Sequence, residues 1–243
     1  MIQAKNSIHP ARYLPLIAET MRVNTALDGA LQGDGWGIAY LDEDRVWHIE
    51  KSSNPIWHDS ERFSTFPPSR HFMIHARSTG ESEIKLTHNQ PYGLTFSDAQ
   101  TGQKRQAVFC CNLAIRGMKR RQIQREVKAR IEGEIGAQKV AFLVQHFLQA
   151  GHTHESALSS VSQLLRQYAQ DVQVANLGLM NENGFAAACL YTLPATHTSP
   201  YAQDHYRLQT SMSDDVQIVG SNQFGDFEWQ AAYENGEVRS SLV

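Results

Sequence analysis

Apolar residues recur along this chain with two different periods, and each period marks a different kind of predicted element. A spacing of three to four predicts an amphipathic helix in 9–25, where Pro10 suits a first helical turn. The same spacing predicts helices in 136–151 and in 154–171. The last of these has His154 and Glu155 where its first turn should begin.

Short apolar and β-branched runs between turn residues predict the strands. Residues 37–41 and 45–49 predict a hairpin, and 227–241 predict a closing hairpin that turns on Asn235-Gly236. Further strands are predicted at 71–76, 107–115, 172–179, 184–192, 206–210 and 216–220. The order of helix, strands, two helices and strands again predicts an α+β fold, in which β-sheets pack together and helices cover their outer faces. No linker or repeat divides the chain, so we expect one domain over 1–243.

Composition narrows the classes of protein to consider. The 243 residues are 41% hydrophobic and 19% charged, which is enough for a sizeable core. A net charge of -3 gives no basic footprint, so no nucleic acid partner is expected. The basic run at 118–130 is interpreted as a solvated helix face.

Cysteine usage and hydropathy indicate a cytoplasmic protein without a membrane partner. The three cysteines are odd in number, and two of them are adjacent, so they form no disulfide framework. The N-terminus lacks a signal-peptide pattern, and no apolar run reaches the length of a membrane span.

Several motifs can be set aside. "GDGWG" at 33–37 fails as a dinucleotide loop because Ile38 stands where a third glycine is needed, and because a strand follows. No phosphate-binding loop, nucleophile elbow or C-x-x-C pair is present. Of the eleven histidines, His152 and His154 lie two apart rather than at a helical metal-binding spacing. We therefore expect no metal and no cofactor.

Four stretches, taken in order, resemble the class II glutamine amidotransferases, which belong to the N-terminal nucleophile hydrolases. They resemble that family's D-G-W-G-I strand entry, H-x-R segment, N-T-H-P-F loop and H-N-G turn. The stretches here are "GDGWGIAY" (33–40), "IHARSTG" (74–80), "HNQPY" (88–92) and "FCCNLAIRG" (109–117). Residues 135–142 and 218–238 resemble the family's substrate-side helix start and its closing strand and hairpin. The likeness is to small stand-alone members.

The resemblance implies a four-layer αββα sandwich and a reaction. An N-terminal cysteine attacks the side-chain amide of glutamine, and its own α-amino group acts as the base. Asn112 and the backbone N–H of Leu113 would stabilise the oxyanion. Arg77 would hold the α-carboxylate of the substrate as a bidentate pair, next to Ser78.

The sequence departs from the family at four positions. Ile2 stands where the nucleophile would be exposed by removal of the initiator Met. Leu113 replaces the glycine that follows the oxyanion Asn, and Gln90 replaces a histidine of the substrate site. Gly136 falls near the place where the family has an aspartate that binds the substrate amino group, so that contact is missing or moved here.

Two hypotheses on function stay open. Cys110 and Cys111 carry no terminal amine and fit inert buried strand residues. Residues 2–10 resemble the strand that follows the family's cysteine, so a Met-Cys-Arg just upstream of Met1 would restore the nucleophile. The protein would then hydrolyse glutamine or a γ-glutamyl compound, with an ammonia-accepting partner protein left open. The alternative is a catalytically inactive pseudo-amidotransferase that binds a ligand or a partner.

Overall fold

Two antiparallel β-sheets lie face to face in the computed structural model, which describes residues 1–23, 32–79, 82–99, 101–192, 206–213, 215–230 and 233–241. The helices are α1 (Leu14–Arg22), α2 (Arg120–Val127), α3 (Gly136–Gln149) and α4 (His154–Tyr168). The strands are β1 (Ile2–Ile8), β2 (Trp36–Leu41), β3 (Trp47–Ser52), β4 (Ser69–Ala76), β5 (Tyr92–Ser97), β6 (Lys104–Arg116), β7 (Asp171–Asn181), β8 (Gly184–Tyr191), β9 (Gln209–Met212), β10 (Val216–Gly220), β11 (Trp229–Gln230) and β12 (Val238–Ser240).

The strand order determines which strand ends lie together at the candidate site. In the described residues, the seven-stranded sheet has the order β11-β9-β10-β1-β4-β2-β3. The five-stranded sheet has the order β12-β8-β7-β6-β5. β1 therefore lies at the centre of the larger sheet between β10 and β4, and β6 lies next to the edge strand of the smaller sheet.

The buried side chains separate into layers that match this arrangement. One cluster fills the space between the two sheets and includes Met73, Val108 and Val219. A second joins the smaller sheet to α2, α3 and α4, and a third joins the larger sheet to α1. Since each sheet is covered by helices on its outer face, the described chain forms a four-layer αββα sandwich, as predicted.

Most predicted elements are confirmed, with shifts at their ends. The hairpin of β2 and β3, both central helices and the long strands occur where the periodicity placed them. The first helix starts later than predicted, because Pro10–Arg12 form a short 3-10 turn before α1. The last two residues of that prediction, 24 and 25, lie outside the described residues. The strand predicted at 206–210 is displaced to β9.

The closing hairpin predicted in 227–241 is wrong. β11 pairs with β9 in the larger sheet, whereas β12 pairs with β8 in the smaller sheet. A turn does lie at Asn235-Gly236, closed by a bond from Glu237 N–H to Glu234 C=O of 2.9 Å. The turn was therefore predicted correctly. The strands on either side of it belong to different sheets, which a local sequence pattern cannot show. Residues 231–232, inside the predicted hairpin, lie outside the described part of the chain.

A buried histidine on β4 makes the fold sensitive to acid. His71 points between the sheets and is only 4% exposed. Neither of its ring nitrogens has a hydrogen-bond partner among the described residues. Burial, with smaller effects from Arg70 and Arg45, lowers the pKa of His71 to about 4. The imidazole is therefore neutral in the folded protein at neutral pH.

We expect His71→Phe to reduce the loss of stability in acid. Below about pH 6.5 the unfolded chain takes up a proton on His71 that the folded chain refuses until about pH 4. The free energy of unfolding should therefore fall by about 2–3 kcal/mol between pH 7.5 and 4.5 through this residue alone. Denaturant titrations at both pH values measure the difference. The control is His58→Phe at an exposed site, and an equal effect of both variants would contradict the assignment.

Candidate active site

A large cavity opens between the ends of the two sheets. Its volume is about 930 Å³. Its walls come from the start of β1, the end of β4, the end of β10, the second half of β6, the middle of β7 and the N-terminus of α3. The antiparallel topology brings these segments to one edge, although they are far apart in sequence.

All six site residues predicted from the sequence line this cavity. Arg77 and Ser78 follow β4, Gln90 precedes β5, and Gly136 begins α3. The remaining two are Asn112 and Leu113 on β6. The structure thus brings together residues of 74–80, 88–92, 109–117 and 135–142, whereas no residue of 33–40 lines the cavity. The neighbouring Gly80 of the H-x-R segment lies outside the described residues.

Arg77 is buried at the wall of the cavity and held from several sides. It is 6% exposed. Its guanidinium donates to Ser82 Oγ at 2.8 Å, to Glu83 C=O at 3.2 Å and to Asn89 Oδ1 at 3.4 Å. Its backbone N–H donates to Gly35 C=O at 2.9 Å. Burial lowers the pKa of Arg77, but a guanidinium remains charged at neutral pH.

Gln90 has partners that the sequence did not indicate. Its side-chain oxygen accepts from Cys111 N–H at 2.7 Å, and its side-chain nitrogen donates to Cys111 C=O at 2.9 Å. The same nitrogen lies 3.3 Å from His75 Nε2. Gln90 therefore acts as a substitute strand partner for β6, and its amide is engaged with the protein.

His75 is a cavity residue for which no role was predicted. Burial is the main cause that lowers the pKa of His75 to about 4, so its ring is neutral. Its Nδ1 is buried without a hydrogen-bond partner among the described residues. His75 therefore cannot provide a positive charge to the site at neutral pH.

The backbone pairing of β6 leaves a donor at the cavity edge. Cys111 directs both backbone groups to Gln90 rather than to β7. Successive residues of an antiparallel strand point their N–H and C=O to opposite sides. Asn112 therefore pairs with β7, opposite Asn176, and the N–H of Leu113 points to the cavity edge beyond Gln90.

The side chain of Asn112 faces the same cavity. Alternation along β6 places it on the side of Cys110, between the sheets, whereas Cys111 packs towards the helices. The Asn112 amide makes no hydrogen bond within the described ranges. The Asn112 amide and the Leu113 N–H are therefore two hydrogen-bond donors in the cavity wall.

Leu113 and Gly136 depart from the family pattern together, and the structure gives the reason. Leu113 lies in regular β6 and is not one of the described residues with positive φ, so leucine is not strained there. A Cβ added at Gly136 would lie 3.2 Å from Leu113 Cδ2. The leucine side chain takes up space next to the start of α3, so a glycine there avoids a close contact.

Glu134 is a cavity residue that the sequence reasoning missed. It lines the cavity two positions before Gly136. Its carboxylate lies 2.9 Å from His88 Nε2 and 3.5 Å from Lys85 Nζ, and these neighbours lower the pKa of Glu134. The sequence did contain a signal for this residue, because Glu134 is the last carboxylate before the helix start in "EGEIGAQ" (132–138).

The start of β1 and Cys110 meet inside the cavity. The Met1 α-amino group donates to Val219 C=O at 2.8 Å, and Val219 N–H donates to Met1 C=O at 2.9 Å. Burial lowers the pKa of this amino group. Burial also raises the pKa of the Cys110 thiol to about 11, against a weaker opposing effect of the amine. The thiolate of Cys110 is therefore scarce at neutral pH.

Neither a cluster of metal-ligating side chains nor a membrane-crossing helix is found in the described residues. They contain no group of three or more His, Cys, Asp or Glu side chains placed to hold a metal ion. None of the helices within those ranges is long and apolar enough to cross a membrane.

Comparison with solved structures relates this architecture to known domains. A glutamine aminotransferase class-II domain protein from Silicibacter pomeroyi is 15% identical, with a TM-score of 0.54 over 85% of this chain and 86% of that one. A predicted glutamine amidotransferase from Pseudomonas aeruginosa is 15% identical, with a TM-score of 0.51 over 85% and 84%.

A third neighbour is much longer than this chain. It is the allosteric regulatory enzyme of purine biosynthesis, 13% identical with a TM-score of 0.54 over 92% of this chain but 44% of that one. No protein-family model and no curated protein matches the sequence. At these identities the likeness concerns the fold, and it agrees with the resemblance seen in the motifs. The chain has the fold of the class II glutamine amidotransferase domains.

Proposed function

We propose that the cavity binds glutamine or a γ-glutamyl compound, and that a cysteine preceding Met1 would hydrolyse its side-chain amide. One observation carries the proposal: the six residues named by the resemblance, from three of its four stretches and from the helix start at 135–142, line the same cavity as the start of β1. An amino-acid amide needs a cation, an anion and two donors, and the cavity offers each of them.

The amino-acid head is assigned to Arg77 and Glu134. Contacts to Ser82 and Asn89 orient the guanidinium, and its remaining N–H groups can pair with a carboxylate. Glu134 supplies the negative charge for the α-ammonium group. The N-terminus of α3 adds a partial positive charge that favours the carboxylate.

The amide carbonyl is assigned to β6. As a nucleophile adds, negative charge develops on the carbonyl oxygen, and donors that are already oriented stabilise it. The Asn112 amide and the Leu113 N–H lie at one edge of the cavity and meet this need. Gln90 holds the adjacent Cys111 backbone, so it positions these donors rather than contacting the substrate itself.

The path of β1 locates the nucleophile. The paired bonds between Met1 and Val219 continue the β1–β10 ladder to Met1, so in a chain that begins Met-Cys-Arg the arginine would lie opposite Gly220 and the cysteine opposite Ser221, both in the cavity wall. Its sulfur would bond to the amide carbon, and its α-amine would pass the thiol proton to the departing nitrogen. The C–N bond breaks, ammonia or an amine leaves, and water then hydrolyses the thioester to glutamate.

A second candidate is a binding module without turnover. It is favoured because the two thiols in the cavity stay protonated at neutral pH, since burial raises the pKa of both Cys110 and Cys111. Neither thiol is a ready nucleophile. In this case the cavity would hold the same ligand, and binding would serve regulation or recruitment of a partner. Transfer of ammonia to an acceptor protein belongs only to the catalytic candidate.

The test compares two chains extended at the N-terminus. One begins Met-Cys-Arg ahead of Met1, and the matched control begins Met-Ser-Arg. We expect ammonia release from glutamine by the cysteine chain, and a rate lower by about a thousandfold or more in the serine chain. Glutamine binding without release by either chain would support the binding module. Neither release nor binding would contradict both candidates.

A further inference from the structure

The cavity is much larger than glutamine. Volumes of about 300–1,000 Å³ are typical of sites that enclose drug-sized ligands. The cavity here measures about 930 Å³. An amino-acid head at Arg77 and Glu134 occupies only one side, so most of the volume is left for another part of the substrate.

One part of the remaining wall is apolar, although Gln32, Ser221 and Asn222 also line the cavity. Ile17 and Met21 on α1 and Phe224 after β10 line the cavity and belong to one hydrophobic cluster. A Cβ at Gly225 would lie 2.9 Å from Leu16 Cδ1, so α1 packs closely against the segment that carries Phe224. The three side chains therefore form a continuous surface, which we call the α1–Phe224 wall.

The strand order places this wall across the reacting bond from the amino-acid head. β1 lies between β4, which leads to Arg77, and β10, which leads to Phe224. The two substituents of an amide extend in opposite directions from its C–N bond. If the glutamyl side lies towards Arg77, the group on the amide nitrogen extends towards the α1–Phe224 wall.

We propose that the preferred ligands are γ-glutamyl amides whose nitrogen carries an apolar alkyl or aryl group. This inference rests on the proposed function, because it assumes that Arg77 holds the glutamyl head. Contact with the wall removes the apolar group from water, a gain that glutamine cannot obtain. The leaving group of the catalytic candidate would then be an apolar amine rather than ammonia.

The test is calorimetric titration of the chain with glutamine and with γ-glutamyl n-alkylamides from ethyl to hexyl. Each added methylene should lower the dissociation constant by up to about fourfold until the wall is covered. Glutamine binding with a dissociation constant that stays level or rises along the series would overturn this inference alone. Binding of neither glutamine nor any amide would overturn the proposed function as well.

Two variants on one helix show whether the wall is responsible. Met21→Gln makes the wall polar at similar volume, whereas Val23→Gln changes an exposed residue that caps the same helix and does not line the cavity. The gain per methylene should decrease in the first variant and persist in the second. Equal gains in both would exclude the wall, and n-alkylamines that bind as tightly as the amides would exclude the glutamyl requirement. Thermal unfolding of each variant checks that it is folded.

Discussion

Arg77→Ala is expected to weaken binding of glutamine by about 100- to 1,000-fold, equivalent to about 3–4 kcal/mol. The guanidinium is the buried cation on the cavity wall, and a bidentate pair with a carboxylate is among the stronger polar contacts in proteins. Titration calorimetry of the purified variant measures the loss. Arg77→Lys should bind with intermediate affinity, because lysine keeps the charge but not the planar donor pair.

Arg70→Ala is the matched control for this prediction. Arg70 is an exposed arginine on β4, the strand that leads to Arg77, and it does not line the cavity. Its removal should leave glutamine binding unchanged. Since Arg77 also bonds to Ser82 and Asn89, denaturant unfolding must show that the Arg77 variant is folded. Wild-type affinity in a folded Arg77→Ala protein would show that the guanidinium is only structural.

Gly35→Ala should destabilise the fold by about 3–5 kcal/mol. Gly35 has a φ of +110°, which L side chains rarely adopt. An added Cβ would lie 2.1 Å from Asn89 Nδ2 and 2.7 Å from Ser52 C=O. The carbonyl of Gly35 accepts from Arg77 N–H, so relief of the clash would also displace the Arg77 backbone. We expect weaker glutamine binding in any fraction that folds.

Gly102→Ala separates strain from crowding. Gly102 has a φ of +70°, but an added Cβ would meet nothing within 4 Å. This control should cost only about 1–2 kcal/mol, from the backbone conformation. Denaturant titration of both variants measures the difference. Equal losses would show that the Asn89 and Ser52 contacts do not add to the cost at Gly35.

Helix and strand periods predicted most of the fold because burial on one face sets those periods directly. They missed β5, whose run "YGLTFS" mixes apolar and polar residues at the edge of its sheet. They also joined β11 to β12 across a good turn, although the two strands belong to different sheets. The second error concerns pairing between distant segments, which no local pattern contains, whereas β5 forms a local hairpin with β6.

In the candidate site, too, residues within sequence motifs were predicted, whereas residues placed by the packing of distant segments were missed. Arg77 and Asn112 were found because each lies in a motif of fixed spacing, and the structure places both on the cavity wall. Glu134 was missed because its nearness to the cavity depends on where α3 packs. The close approach of Leu113 to Gly136 likewise appears only in three dimensions. The bonds from Gln90 to the Cys111 backbone are of the same kind.

A crystal structure of the chain with glutamine bound tests the central claim most directly. The account predicts the α-carboxylate within hydrogen-bond distance of the Arg77 guanidinium, and the side-chain carbonyl facing Asn112 and the Leu113 N–H. The amide nitrogen should point towards the end of β10 and Phe224. Glutamine bound elsewhere, or an Arg77 that keeps only its contacts to Ser82, Glu83 and Asn89 while the cavity stays empty, would contradict it.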